Sequence, residues 1–465
     1  MKLHNTMTMK KEELIPIEPG RVRIYACGPT VYNLIHIGNA RPIIVFDALR
    51  RYLEYRGYEV KFVQNFTDID DKIINRAAEE GVSSAEIAEK YITEYFTDAR
   101  ALGVRDANVH PRATETVDDI IALITTLIDG GKAYVSDGDV YFRVDSFPEY
   151  GKLSHQPRDA LLAGARVDVS EIKENPMDFA LWKASKPGEP FWESPWGRGR
   201  PGWHIECSAM NNKIFGPTLD IHCGGQDIMF PHHENEIAQS ESASGQPFAH
   251  CWLHNGMITV DGKKMSKSLG NFFTVRDAAE AYGYENIRMF MLMSHYRSPI
   301  NYSGEILMQA KAALERIKTA RERLLFISES GAEAGADDGS GSADIDFARY
   351  RERFAEALDD DFNTADAISV IFELVREVNT AVSAPQDARA ALDALDELVN
   401  VLGLIYGDKA DSTDADAEKI DALISERAEA RATKNWARAD EIRDILNELG
   451  VVVEDTPQGA RWKRG

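Results

Sequence analysis

Cysteine is scarce in this chain, basic charge is outweighed by acidic charge, and no apolar run is long. Four cysteines occur in 465 residues, Cys27, Cys207, Cys223 and Cys251. They are too few and too scattered for the disulfide framework of a secreted protein, which leaves buried thiols or metal ligands. Lys and Arg total 53 against 76 Asp and Glu, a net charge of −23. That excludes a uniformly basic surface of the kind that drives phosphate binding, but not local basic clusters such as Arg427, Arg431, Lys434 and Arg438, or the terminal Arg461, Lys463 and Arg464. The apolar stretch Ile120 to Ile128 is too short to cross a membrane. Met1 to Lys11 lacks the apolar segment of a secretory signal. A cytoplasmic protein is expected, and at this length it should hold two to four domains with a substantial core.

Local patterning supplies the rest. Val22 to Ala26 reads as a strand, Pro42 to Arg56 as a helix with Phe46, Leu49 and Leu53 on one face, and Val60 to Gln64 as a second strand. This βαβ unit implies a parallel sheet with ligands at the carboxyl ends of its strands. The Gly/Pro turn Cys27 to Arg41 and the run Asn65 to Asp71 sit at such ends. Helices are expected at Ser84 to Leu102 and Ala113 to Gly130. From 131 to 203 the chain becomes short β-prone pieces, including a hairpin around Asp137-Gly138-Asp139, and reads as an insertion. The sheet resumes at Thr218 to His222 and Ala249 to Met257, with a helix from His232 to Ser242 between them. Helices dominate from Val275 to Ser328 and from Phe347 to Leu404, separated by a Gly/Ala/Ser/Asp linker. The final piece reads as helices Ile420 to Thr433 and Trp436 to Leu449, a strand Val451 to Glu454, and a turn.

Two constellations carry chemistry. His232 and Glu236 lie four apart on one helix face. With Cys27 and Cys207 they form a workable zinc set of two thiolates, an imidazole and a carboxylate; His204, His222, His233 and Cys223 compete as ligands. The second is Lys264-Met265-Ser266-Lys267-Ser268, two lysines and two hydroxyls on a Gly-rich loop, suited to a polyphosphate whose charge grows during displacement.

His36-Ile37-Gly38-Asn39 and Lys264 to Ser268 resemble the two signature motifs of class I aminoacyl-tRNA synthetases. More narrowly, Cys27-Gly-Pro-Thr-Val-Tyr, Asn65 to Lys72, Gly202-Trp-His-Ile-Glu-Cys-Ser-Ala-Met and Phe230-Pro-His-His-Glu-Asn-Glu resemble the cysteinyl-tRNA synthetase family. The resemblance runs from the first strand to Trp462. It implies an α/β fold: a Rossmann-type parallel-sheet catalytic domain (1–130 and 204–310) with an inserted α/β segment (131–203). A helical bundle (311–406), a linker (407–419) and a small C-terminal α/β anticodon-binding module (420–465) would follow.

The resemblance also implies one Zn²⁺ on Cys27, Cys207, His232 and Glu236. It implies ATP with Mg²⁺ at His36, Gly38, Asn39, Gly225, Asp227, Lys264 and Lys267, with His36 and Lys267 catalytic. Thr67, Trp203 and His222 would line the amino-acid pocket, and Arg431, Trp436, Asp440 and Asp455 would read the anticodon of tRNA(Cys). L-Cysteine would be activated as an adenylate and passed to the tRNA by a monomer. A zinc-bound thiolate would separate cysteine from serine, which pocket shape alone does poorly. Two other readings are a cysteine ligase of mycothiol synthesis, which lacks the terminal module, and a catalytically silent synthetase-like RNA-binding protein. The chain departs from the family at two points. Asn39 stands where a His is usual, and an amide donates a hydrogen bond without ever being cationic. Cys223 stands where Gly is expected, as a bystander, a competing ligand or an oxidation site.

Overall fold

The computed structural model describes residues 1–156, 172–264, 273–330, 345–382, 384–405, 417–433, 435–448, 451–456 and 459–464. The chain divides into two compact units, the first made of Met1–Arg316, Ala348–Glu373 and Leu398–Leu404. At its centre lies a four-stranded parallel sheet in the order Ala249–Asn255, Leu219–Gly225, Arg21–Ala26, Glu59–Gln64. Strands Arg21–Ala26 and Glu59–Gln64 are rich in β-branched and aromatic residues, and Val22, Ile24, Val63, Leu219 and Ile221 are buried, as a sheet covered on both faces requires. Chain order reverses between Arg21–Ala26 and Leu219–Gly225. Ligand crevices open at such a switch point, and the ends of these two strands carry Cys27 and Gly225.

The expected βαβ unit is present, but its helix runs Ile37–Tyr55 rather than from Pro42. Pro42 lies inside the helix, and the true start is set by a reciprocal cap described below. Helix Ser84–Ala101 begins at the capping box of Ser83 and Glu86. A helix unread in the sequence, Asp71–Glu80, is capped by Asp70 and closed by Gly81 in the left-handed region (φ 70°). Another unread helix, Trp203–Phe215, brings Cys207 into the site. Ile205, Glu206, Cys207, Ser208, Ala209 and Met210 are all buried in it, so its sequence shows no amphipathic period. The insertion forms an antiparallel sheet in the order Ala133–Ser136, Asp139–Phe142, Phe179–Ala184, Gly199–Pro201.

The second unit comprises Ile317–Phe347, Leu374–Glu397 and Ile405–Gly465. Arg321 grips Asp396 through Nε and Nη2 (2.7 and 3.2 Å). Near its end, helices Ala417–Ala432 and Trp436–Glu448 bury Ile420, Ile424, Ile442 and Leu446 against each other, with Val453 packed alongside. The last segment is a hairpin, Val451–Thr456 with Gly459–Arg464, rather than one strand and a turn. Among the described residues no helix is long and apolar enough to cross a membrane.

Candidate metal centre and nucleotide cleft

Parallel pairing of Arg21–Ala26 with Leu219–Gly225 sets Cys27 at a strand end, where its N–H donates to Cys223 O (3.2 Å). Gly28 follows in a position only glycine can take, because a Cβ there would stand 1.7 Å from Asn65 O. Helix Trp203–Phe215 delivers Cys207. A π-type turn over Met229–His233 leading into helix Glu234–Ser244 delivers His232 and Glu236. Cys27 Sγ is 3.9 Å from Cys207 Sγ and 3.4 Å from Glu236 Oε1, and His232 Nε2 is 3.0 Å from the same oxygen. A tetrahedral zinc with bonds of about 2.3 Å to sulfur and 2.0–2.1 Å to N or O would set S···S at about 3.8 Å and S···O at about 3.5 Å. The four donors therefore fit the ion.

Their protonation fits as well. The Cys27 thiol donates to Cys207, which, with help from His232 against burial, brings Cys207 down to about 6. Burial holds Cys27 well above the ordinary thiol range. Burial opposes ionisation of Glu236, but His222 and His232 keep its carboxyl well below the usual range. His232, despite burial, is lifted to about 10 by Glu236 and Cys207. A divalent cation would displace the protons on Cys27 and His232 that this cluster shares.

A second donor set overlaps the first. Cys27, His222, His233 and Glu236 also bring ligand atoms within 4.8 Å of one another. His233 Nε2 is 3.3 Å from Cys27 Sγ, and His222 Nε2 is 2.9 Å from Glu236 Oε2. The two sets share Cys27 and Glu236, whose carboxylate turns one oxygen to each. Of the other sequence candidates, His204 sits behind His232, Nδ1 to Nδ1 at 2.9 Å, in the outer position that orients a ligating imidazole. Cys223 belongs to neither set. Its side chain is fully buried with Sγ 3.5 Å from Tyr25 O, on the sheet face opposite His222, so it is a packing residue.

The other predicted residues divide into two groups. Cys27, His36, Gly38, Asn39, Gly225 and Asp227 line one cleft of about 320 Å³. Gly225 allows Asp227 its approach, since a Cβ there would meet Asp227 Oδ1 at 2.4 Å. Thr67, Trp203 and His222 do not line this cleft. Thr67 is buried and donates to Glu206 Oε2 (2.8 Å). The Trp203 ring lies 4.4 Å from that of His232, nearly parallel at 25°, and is 39% exposed, which excludes a core-packing role. His222 stacks on Trp252 (4.5 Å, 18°) beneath Glu236.

Sequence reasoning passed over Glu206, although it precedes Cys207. It is fully buried, its Oε1 has no hydrogen-bond partner, and burial and then Cys207 push its carboxyl well above the ordinary range. His254 was also missed; it holds His233 Nδ1 (2.8 Å) and in turn meets Thr6 Oγ1 (2.8 Å).

The His36 turn is a reciprocal cap. His36 Nδ1 accepts from the N–H groups of Gly38 (3.0 Å) and Asn39 (3.3 Å), and Asn39 Oδ1 accepts from His36 N–H (3.2 Å). Nδ1 is an acceptor here, so the proton of the neutral ring resides on Nε2. Asn39 spends its oxygen on the cap and keeps its NH₂ as donor. The helix start carries partial positive charge toward the cleft, a setting for phosphate. Phe273 and Thr274, which follow the lysine loop, are tied to this turn: Ile37 N–H donates to Phe273 O (3.1 Å) and Val275 N–H to Ile35 O (3.0 Å). Lys267 itself lies outside the described residues, and of Lys264 only the backbone, in strand Lys263–Lys264, is described.

In the second unit Arg431 and Trp436 are exposed, Trp436 by 59%, and Asp440 pairs with Arg443 (3.2 Å). The side chain of Asp455, in strand Val451–Thr456, is outside the described set.

The family described as tRNA synthetases class I (C) catalytic domain matches residues 13–312. The DALR domain matches 353–406, and the cysteinyl-tRNA ligase anticodon binding domain 413–462. Cysteine–tRNA ligases of Caldicellulosiruptor saccharolyticus and Clostridioides difficile are 55% and 53% identical to this chain, each alignment covering 100% of both proteins. Among solved structures, Mycobacterium tuberculosis methionyl-tRNA synthetase with methionyl-adenylate shares the fold at a TM-score of 0.60 and 18% identity, covering 82% of this chain and 90% of that one. A leucyl-tRNA synthetase complex of Agrobacterium radiobacter does so at 0.61 and 13%, covering 84% and 85%. With a parallel-sheet unit ending in a capped His36 turn and full-length identity above half, the chain belongs to the cysteine–tRNA ligase family of class I aminoacyl-tRNA synthetases.

Proposed function

We propose that this chain joins L-cysteine to tRNA(Cys) at the expense of ATP, by way of cysteinyl-adenylate. The observation that carries the reading is one of placement: Cys27 belongs to the four-donor cluster and also lines the cleft that holds His36, Gly38, Asn39, Gly225 and Asp227. A thiol-selective pocket and a phosphate-binding helix start thus share one strand-to-helix turn. The zinc set we favour is Cys27, Cys207, His232 and Glu236, because it holds two thiolates where the overlapping set holds one, and sulfur-rich sites suit this ion. Zinc bound there would supply a strong bond to a thiolate that a serine hydroxyl does not match.

The chain's own groups do the remaining work. Trp203, packed on His232, would close over the side chain of the amino acid, and Thr67 and His222 would support the pocket from beneath. The start of helix Ile37–Tyr55, with His36 Nε2–H and the Asn39 NH₂, would hold the ATP phosphates while the carboxylate attacks the α-phosphorus in line. Lys264 and Lys267 would stabilise the departing pyrophosphate together with Mg²⁺. The terminal module would meet the anticodon through Arg431, Trp436, Asp440 and Asp455; the exposure of Trp436 supports a stacking role. The match over 413–462 favours tRNA over an amino-sugar acceptor. Cysteine-dependent ATP–pyrophosphate exchange, silent with serine, followed by charging of tRNA(Cys), tests the reading. Absence of exchange in zinc-replete protein would overturn it.

A further inference from the structure

Arg41 lies on helix Ile37–Tyr55, two residues beyond Asn39, and is fully buried. Among the described residues no carboxylate pairs with it, and burial alone lowers its guanidinium to about 10. It remains charged at neutral pH, and a buried cation is costly unless its donors are met. Four main-chain carbonyls meet the donors of Nη1 and Nη2, while Nε–H is left without a partner among the described residues. Nη1 donates to Gly256 O (2.6 Å) and Met257 O (3.2 Å), and Nη2 donates to Ser298 O (2.5 Å) and His295 O (3.2 Å).

The two carbonyl pairs belong to different segments. Gly256, Met257 and Ile258 form a wall of the cleft that His36, Gly38 and Asn39 also line. Residues 295–298 lie behind that wall and are anchored to Asp361, which accepts from Tyr296 Oη (3.0 Å) and Arg297 Nε (2.8 Å). The segments are also in direct contact. Gly256 N–H donates to Tyr296 O (2.8 Å), and a Cβ on Gly256 would stand 2.5 Å from Ser298 O. Arg41 therefore bridges the helix that begins at the His36 turn and another wall of the same cleft. A planar fork can hold two carbonyl pairs at once, whereas an ammonium has neither the reach nor the geometry.

We infer that Arg41 is a positioning residue for the nucleotide, setting the distance between the His36 turn and the wall Gly256–Ile258. Because a trans peptide points its N–H opposite to its carbonyl, the grip on Gly256 O also fixes the direction of the Met257 N–H in that wall. The ligand concerned is the nucleoside triphosphate, so the inference rests on the proposed use of this cleft for ATP.

The test uses full-length Arg41→Lys and Arg41→Ala proteins, with ATP affinity measured directly by calorimetry so that the readout does not depend on turnover. ATP binding is expected to weaken about tenfold in Arg41→Lys, the equivalent of one lost hydrogen bond, and further in Arg41→Ala. Zinc content and the KM for cysteine should hold. Millimolar guanidinium, but not potassium at equal ionic strength, should restore ATP binding to Arg41→Ala. Wild-type ATP affinity in Arg41→Lys would overturn the inference. So would a loss in which ATP binding, cysteine KM and zinc content fall together without guanidinium rescue, since that marks a fold-wide role. If Arg41→Ala does not fold, Arg41→Lys alone decides. Wild-type protein that binds ATP yet shows no cysteine-dependent exchange would count against the proposed function and leave this inference standing.

Discussion

Cys207→Ser separates the two overlapping metal sets. The change nearly conserves volume in a helix packed on both sides, so folding should survive, and its effect is confined to one donor. Structural zinc sites with four protein ligands bind with roughly 10–16 kcal/mol. An even share for one ligand is about 2.5–4 kcal/mol, or roughly a hundred- to a thousand-fold in affinity. Cys207 is central to its set, 3.9 Å from Cys27 Sγ and pulled down to about 6, so the upper part of that range is expected. His233→Asn should act differently. It removes a neighbour of Cys27, 3.3 Å from Sγ, and outer positions of this kind cost about 10- to 100-fold. Competition against a chromophoric chelator measures both. Cobalt substitution gives an independent readout, because the thiolate-to-metal absorption scales with the number of sulfurs and should fall by about half in Cys207→Ser. The KM for cysteine in exchange should rise in parallel while that for ATP stays level. The reasoning is refuted if His233→Asn loses more zinc than Cys207→Ser, or if cobalt absorption is indifferent to Cys207.

Asn39→Ala removes the acceptor for His36 N–H and should cost about 0.5–1 kcal/mol of stability together with ATP affinity. Asn39→Asp keeps that acceptor at a helix start that favours acids, so thermal stability should hold while exchange collapses against the polyphosphate; equal losses in the two variants would show that only the cap matters. Trp436→Ala should lower kcat/KM for tRNA by the value of one stacked base, about 1–3 kcal/mol, without moving exchange or melting temperature, because the ring is 59% exposed. Unchanged charging removes Trp436 from the tRNA contact. Asp47, on the helix that His36 caps, pairs with Arg288 (2.6 Å) and Arg51 (2.8 Å). Burial works against its ionisation, but Arg288 and then Arg51 outweigh that and hold its pKa below the ordinary carboxylate value. Its stabilisation is therefore present above pH ~4 and is lost as pH falls through the lower folded value. Urea unfolding should show Asp47→Asn weaker by about 3–5 kcal/mol at neutral pH, with the gap closing in acid; a gap that persists unchanged into acid would contradict the ion-pair account.

How much of this site could be read from the sequence depends on the range of the contact. His232 and Glu236 are linked by helical spacing, and the 3.0 Å between them was legible although Pro231 distorts the turn before them. The βαβ unit was legible because its apolar positions repeat with the right periods. Cys27 and Cys207 are 180 residues apart and meet only through the parallel pairing of Arg21–Ala26 with Leu219–Gly225 and through a helix whose uniform burial hid it. No local pattern could choose among the histidines. In three dimensions His204 and Cys223 drop out by position, and His222 and His233 stand within reach of the shared Cys27 and Glu236. Asn39 shows the opposite failure. As a residue type it reads as a lost cation, but its Oδ1 closes the cap that leaves His36 Nδ1 an acceptor and Nε2 the donor. A histidine there would have to accept through a ring nitrogen to close the same cap. The substitution therefore transfers the task of holding the His36 N–H to an amide that has no pKa in the working range, while the rest of the cap still requires His36 Nδ1 to stay unprotonated.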